Sequence, residues 1–248
     1  METWLVASQD DSVRGEEDEV CVNDILMTDS ENHFNDIASD YDYWKNHNRY
    51  YYQNLFILYG SLIPRKSSVI EIGCGTGDII SGLDPSRGVG IDISEQMINV
   101  ARKKHADKSS IHFVREDISI SKAPFEAEYV FLADVLEHVD NLPKFLNDLS
   151  ARVKLKTKVI ISVANPIWEP VLMLAERLKM KMPEGPHKRY PMKITEDMFR
   201  TAGFTIIEKG FRLLIPKRLP CADWINERFY GNKFIARLGF IVYWVLRK

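Results

Sequence analysis

The chain has 248 residues, a hydrophobic fraction of 45%, a charged fraction of 27% and a formal net charge of −2. Such a chain is long enough to bury one sizeable core, and its charge exerts no overall pull toward nucleic acid or anionic membrane. No run reaches the ~18 apolar residues a membrane span needs. Three scattered cysteines (Cys21, Cys74, Cys221) without a C-x-x-C pair supply neither a disulfide framework nor a zinc site, which points to a reducing, cytoplasmic setting.

The average hides a gradient. Up to Asp42 the chain has 13 acidic residues against one basic, whereas Lys209–Lys248 has nine basic and two acidic. Residues 1 to about 30 lack a core pattern and read as an acidic tail, with an apolar stretch (Trp4 to Ala7) too short for a signal peptide. From about 32 to 62 the pattern is helical and aromatic, ending before Pro64. Strands are then expected near 68–73, 87–91, 111–115, 128–133 and 157–163, and helices near 77–83, 94–105, 141–153, 167–180 and 194–202. That alternation predicts an α/β fold with a parallel sheet and helices on both faces. Ala202-Gly203-Phe204 reads as a helix C-cap entering a sixth strand that runs to Gly210. The apolar C-terminus could form an amphipathic helix, but Ile241-Val-Tyr-Trp-Val245 is β-branched and aromatic and favours a seventh strand near 239–246. The basic, aromatic stretch 211–237 then becomes an excursion between the last two strands.

Two linked segments carry the chemistry. Val69-Ile-Glu-Ile-Gly-Cys-Gly-Thr-Gly-Asp78 runs an apolar strand into a glycine loop, and Val89-Gly-Ile-Asp92-Ile-Ser-Glu-Gln-Met97 ends a second strand on a carboxylate. Glycines allow a sharp turn and close approach to a ligand, and an acid at the next strand tip suits a ribose diol. Gly73, Gly75 and Gly77 form G-x-G-x-G. The third glycine of a dinucleotide fingerprint would fall on Asp78, and no Gly-Lys-Ser/Thr follows for a Walker loop.

With Phe113-Val-Arg-Glu-Asp117-Ile118, Tyr129-Val-Phe-Leu-Ala133-Asp134-Val-Leu-Glu-His138 and the lead-in Phe34-x-x-x-Ala38-x-x-Tyr41-Asp42, these segments resemble the ordered motifs of class I S-adenosylmethionine (SAM)-dependent methyltransferases. The resemblance runs from about His33 to the C-terminus. It implies a Rossmann-like seven-stranded sheet, mostly parallel with the last strand antiparallel and inserted beside the sixth. It also implies SAM as cofactor and S-adenosylhomocysteine as product.

The resemblance further implies that the backbone of Gly73, Cys74, Gly75 and Gly77 underlies the amino acid end and ribose of SAM. Glu71 would hold the loop or the ligand's ammonium group. Asp92, followed by Ile93, would accept from both ribose hydroxyls, although a helix N-cap also fits that position. Asp117, with Glu116 competing, would take the adenine amino group beside Ile118, and Ala133 and Asp134 would line the cofactor side. Tyr41, Tyr43 and Trp44 are cofactor or lid candidates, or core. Glu137 and His138 read as an acid/base pair or as a structural helix start. His187 is a second candidate base or a surface histidine. The implied reaction transfers a methyl group to a hydroxyl of a small-molecule, glycan or lipid-linked acceptor, with peripheral membrane contact by the basic excursion, no nucleic-acid partner and no metal. Asn165-Pro166 departs from the Asn/Asp-Pro-Pro-aromatic motif of base-amine methylation, because it follows the fifth strand rather than the fourth. A non-catalytic SAM-binding subunit and a nicotinamide-dependent enzyme are the alternatives.

Overall fold

The computed structural model describes residues 28–120, 123–180, 182, 187–217, 220, 222–229 and 233–248, without the side chains of Glu227, Phe229 and Lys233. Nearly all of the expected acidic tail, and residues 183–186 of the loop before His187, lie outside the described residues.

Near-continuous apolar runs form β1 (Ser68–Ile72), β2 (Arg87–Asp92), β4 (Tyr129–Ala133) and β5 (Lys158–Ala164), the composition of strands covered on both faces. With β3 (Ile111–Arg115), β6 (Thr205–Arg212) and β7 (Ile241–Arg247) they make one seven-stranded sheet in the order β3-β2-β1-β4-β5-β7-β6. β7 runs antiparallel to both β5 and β6, so the expected seventh strand is present and inserted as the resemblance implies. Strand order reverses between β1 and β4, and such a switch point opens a crevice at the carboxyl ends of the strands.

Alternation along each strand divides the core in two. Val69, Phe131, Ile160 and Val245 face the layer of α3 (Arg49–Leu62), α4 (Asp78–Gly82) and α5 (Glu95–Lys104). Ile70, Leu132, Ile161 and Trp244 face α6 (Leu142–Arg152) and α8 (Met192–Thr201). Ser94 begins α5 by accepting the Met97 N–H (3.1 Å), and Asn141 begins α6 by accepting the Lys144 N–H (3.1 Å), so each N-terminus carries a side-chain cap.

Two stretches are divided more finely than their periodicity predicts. The N-terminal helical region consists of α1 (Asp29–Ile37), α2 (Tyr41–His47) and α3, with breaks at Ala38–Asp40 and Asn48. The helix expected over 167–180 starts as a 3-10 turn, Pro166–Trp168, and continues as α7 (Glu169–Arg177). Asn165, fully buried, explains that start. Its side chain accepts from the Ile167 N–H (3.3 Å) and donates to the carbonyls of Arg237 (3.0 Å) and Gly239 (2.8 Å). The Asn-Pro pair therefore anchors the entry to β7. The excursion before β7 includes α9 (Ala222–Phe229) and α10 (Lys233–Ala236). Among the described residues, no helix is long and apolar enough to cross a membrane.

Candidate active site

Past Ile72 the backbone turns beneath the crevice in left-handed conformations that side chains disfavour: φ is +70° at Gly73 and +79° at Gly77. A Cβ at Gly73 would lie 2.4 Å from Val135, and one at Gly77 would lie 2.5 Å from Phe113. The loop is tied to β2 by the Gly73 and Cys74 amides, which both donate to the Ile91 carbonyl (2.7 and 3.0 Å). Asp92 completes the tie, accepting from the Gly75 N–H on Oδ2 (2.8 Å) and from the Ser94 N–H on Oδ1 (2.9 Å). Burial pushes the Asp92 carboxyl up, and the two amides work against that shift. The side-chain cap of α5 is Ser94, so Asp92 is not itself the cap. Burial, then the nearby Asp92 charge, raises the Cys74 thiol, which keeps it protonated and poorly nucleophilic.

Glu71, in β1, is 2% exposed and accepts the Ile80 N–H (3.1 Å), holding the loop to α4. Burial raises its carboxyl from 4.5 to about 8, with Lys45 opposing. Between those values the folded state keeps a proton that the unfolded chain releases, so this residue's contribution to stability falls as pH rises through that window. Glu71→Gln, neutral at every pH, gains on the wild type between pH ~5 and ~8. Urea midpoints at the two ends of the range measure the gain; an identical difference at both would show that Glu71 does not titrate there.

The helices α1 to α3 roof the crevice through polar contacts to the strand ends. Ser30 donates to the His138 carbonyl (2.9 Å), Arg115 pairs with Glu31 (2.8 Å), and Ser94 donates to Asn35 (2.7 Å). From α2, Asp42 accepts from Thr76 (2.7 Å) and pairs with Lys104 (2.7 Å), and Lys45 pairs with Asp78 (2.6 Å). Burial raises the Asp78 carboxyl, but Lys45 and Lys104 outweigh it and hold the group below its ordinary value.

At the tip of β4, Asp134 adopts φ +56° and accepts the Tyr51 hydroxyl on Oδ2 (2.6 Å). Burial, then the Asp134 charge, raises the Tyr51 phenol, so Tyr51 is the donor. The Tyr51 ring meets Phe240 edge-on at 5.5 Å. His138 meets the Phe34 ring at 5.1 Å.

A cavity of about 740 Å³ gathers most of the expected residues. Glu71, Gly73, Cys74, Gly75, Asp92, Ile93, Asp117, Ile118, Ala133, Asp134 and His138 all line it. Gly77 does not line it, and its N–H closes the turn on the Cys74 carbonyl (2.9 Å). Tyr43 is 66% exposed and does not line it, nor does Trp44; the roof aromatics that do are Phe34, Tyr41, Tyr51 and Tyr52. His187 also lies outside. Its Nε2 is 3.3 Å from Glu169, which Arg189 holds as well, while the Lys188 amide donates to the Glu137 carbonyl (2.6 Å). Of the competing acids, Glu116 pairs with the buried Arg152 (2.6 Å), and Asp117 accepts the Ser119 N–H (2.8 Å). Sequence reasoning missed Lys45 and Tyr51. A signal existed for Lys45: Tyr41, Lys45, Asn48, Tyr52 and Leu55 recur at helical spacing, and all line the cavity.

A glycine cradle flanked by carboxylates at Asp92 and Asp117 suits the hydroxyls and amine of an adenosine, and the carboxylate of Asp134 suits a cationic ligand. The sequence pattern of the methyltransferase-domain family matches residues 43–209, more than half of the chain. Malonyl-[acyl-carrier protein] O-methyltransferase 1 of Ilyobacter polytropus is 24% identical over 181 residues, 71% of this chain and 61% of that protein. A ubiquinone biosynthesis O-methyltransferase of Bradyrhizobium diazoefficiens is 30% identical over 127 residues, 48% of this chain and 50% of that protein. The chain thus spans from half to about three fifths of the length of these curated relatives. In fold it is similar to a SAM-dependent methyltransferase of Thermotoga maritima (TM-score 0.68, 18% identity, 88% of this chain and 99% of that one). It is also similar to magnesium protoporphyrin IX methyltransferase of Synechocystis PCC 6803 with bound S-adenosylhomocysteine (TM-score 0.64, 16% identity, 88% and 97%). Family pattern, glycine loop and sheet order together make this chain a member of the class I SAM-dependent methyltransferase family.

Proposed function

We propose that the protein transfers a methyl group from SAM to a hydroxyl of a small-molecule, glycan or lipid-linked acceptor. One observation carries the reading: a single cavity extends from the Asp92 and Asp117 carboxylates past Asp134 and His138 into an apolar end lined by Ala164, Leu172 and Phe240. In the reading, Asp92 binds the ribose diol, Asp117 the adenine amine, and the Gly73–Gly75 backbone the amino acid end. SAM supplies an electrophilic methyl carbon on a sulfonium. Asp134, held by Tyr51, places negative charge beside that centre and fixes the border between the polar and apolar ends. His138 removes the acceptor hydroxyl's proton, while the roof helices exclude water and hold donor and acceptor in line. The O-methyltransferase names of the two curated relatives support an oxygen as the receiving atom.

Screening acceptors for S-adenosylhomocysteine formation tests the reading. With a turned-over acceptor, His138→Gln loses about 10²- to 10⁴-fold in rate while SAM affinity is retained. His187→Gln stays near wild type. An unimpaired His138→Gln enzyme would remove His138 as the base, and SAM binding without product from any acceptor class would favour a non-catalytic subunit.

A further inference from the structure

The apolar end of the cavity does not stop at its mouth. Val171, Ala175, Met180 and Pro216 line it, and they belong to the surface formed by α7 and the segment before α9. α7 is an unusual surface helix. Among its nine residues only Leu172 is buried, while Val171, Met173 and Leu174 are exposed, followed by exposed Leu178 and Met180. Apolar residues on several faces of a helix indicate burial in something other than the protein's own core. The excursion before β7 repeats the pattern: Trp224 is 63% exposed, Phe234 83% and Leu238 51%. The two regions adjoin, because Trp168, at the entry to α7, donates its Nε1–H to the Leu238 carbonyl (2.9 Å) and packs its ring on Phe240 (5.9 Å). Exposed Arg177 and Lys179 flank the first region and exposed Arg228 and Arg237 the second. Residues 213–240, between the last two strands, carry five basic residues against two acidic ones, and of those two Asp223 accepts the Tyr50 hydroxyl (2.6 Å).

We infer that this α7–α9–α10 face docks on an anionic lipid bilayer, with Trp224 and Phe234 entering the interface and the basic residues meeting the headgroups. A large apolar patch rimmed by cations, with a cavity opening into it, is the surface such a bilayer recognises. The inference deepens the proposed function: of the three acceptor classes it selects the lipid-linked one, delivered to the cavity from the membrane side.

Vesicle sedimentation with the full chain tests it, using phosphatidylcholine alone and phosphatidylcholine with about 30% phosphatidylglycerol to supply anionic charge. The wild type pellets with the anionic vesicles and stays in solution with the neutral ones. Trp224→Ser/Phe234→Ser and Arg228→Glu/Arg237→Glu each weaken that binding on the order of tenfold or more. All four side chains are exposed, so a SAM titration of the same samples reports intact variants. Wild-type protein left in solution with both vesicle types would overturn the inference. So would an apolar variant that binds anionic vesicles as the wild type does, or one whose only change is loss of self-association, which would make the face a contact between copies of this chain. The SAM titration also separates the two readings, since vesicle binding without SAM binding would retire methyl transfer and leave the docking surface standing.

Discussion

Asp92→Ala is expected to bind SAM on the order of 100-fold more weakly than the wild type, because the proposed function makes its carboxylate the acceptor of two ribose hydroxyls. The tertiary structure makes the expectation sharper than a ligand contact alone would. Each carboxylate oxygen already accepts one backbone amide, Gly75 N–H on one and Ser94 N–H on the other, so a single side chain both shapes the glycine loop and presents its remaining lone pairs to the cavity. Removing it strands two buried donors, each worth about 1–3 kcal/mol. Stability therefore falls along with affinity. Asp92→Asn separates the effects, because its amide oxygen still satisfies one loop amide while the charge is gone. Calorimetric titration of SAM and S-adenosylhomocysteine, with circular dichroism to confirm folding, measures both. A folded Asp92→Ala protein that titrates like the wild type would remove Asp92 from the cofactor site.

Trp244→Ala has the largest expected effect on stability. Trp244 lies in β7, is 0% exposed, and packs edge-on against Phe199 of α8 at 5.4 Å. Its indole N–H donates to Glu196 (3.1 Å), which also pairs with Lys209 of β6 (2.6 Å). Truncation removes the transfer energy of a whole indole and opens a cavity between sheet and helix, a loss of about 3–5 kcal/mol. Trp224→Ala, twenty positions earlier and mostly exposed, shifts stability by no more than about 0.5 kcal/mol. Urea midpoints of the two variants compare the same chemical deletion inside and outside the core. Equal midpoints would mean that β7 does not anchor this side of the sheet.

The contrast between these tryptophans shows where sequence reading succeeds. Ile241-Val-Tyr-Trp-Val245 was legible as a strand because β-branched and aromatic residues favour an extended, two-sided packing surface, and every residue from Ile241 to Leu246 is buried. The glycine loop was legible because a left-handed turn between strand and helix restricts residue choice locally. Where the chemistry depended on partners far along the chain, local pattern gave less. Tyr51 and Asp134 are 83 positions apart, so their hydrogen bond leaves no spacing signature. Tyr43 and Trp44 attracted notice by residue type, yet the face of α2 that meets the cavity is set by its i, i+4 partners Tyr41 and Lys45. His187 drew attention by standing among prolines and glycine, and only the fold brings it against Glu169.

The sequence by itself determined the sheet, the order of its motifs and the glycine and carboxylate positions that define a SAM-type crevice, because periodicity, turn chemistry and strand-end acids act over a few neighbouring residues. Tertiary structure alone decided which aromatics roof the crevice, that His138 and not His187 reaches the cavity, and that Asn165 is occupied in holding the entry to β7. Those assignments follow from packing and hydrogen bonds between segments that meet only when the strand order reverses between β1 and β4 and the sheet admits β7 between β5 and β6.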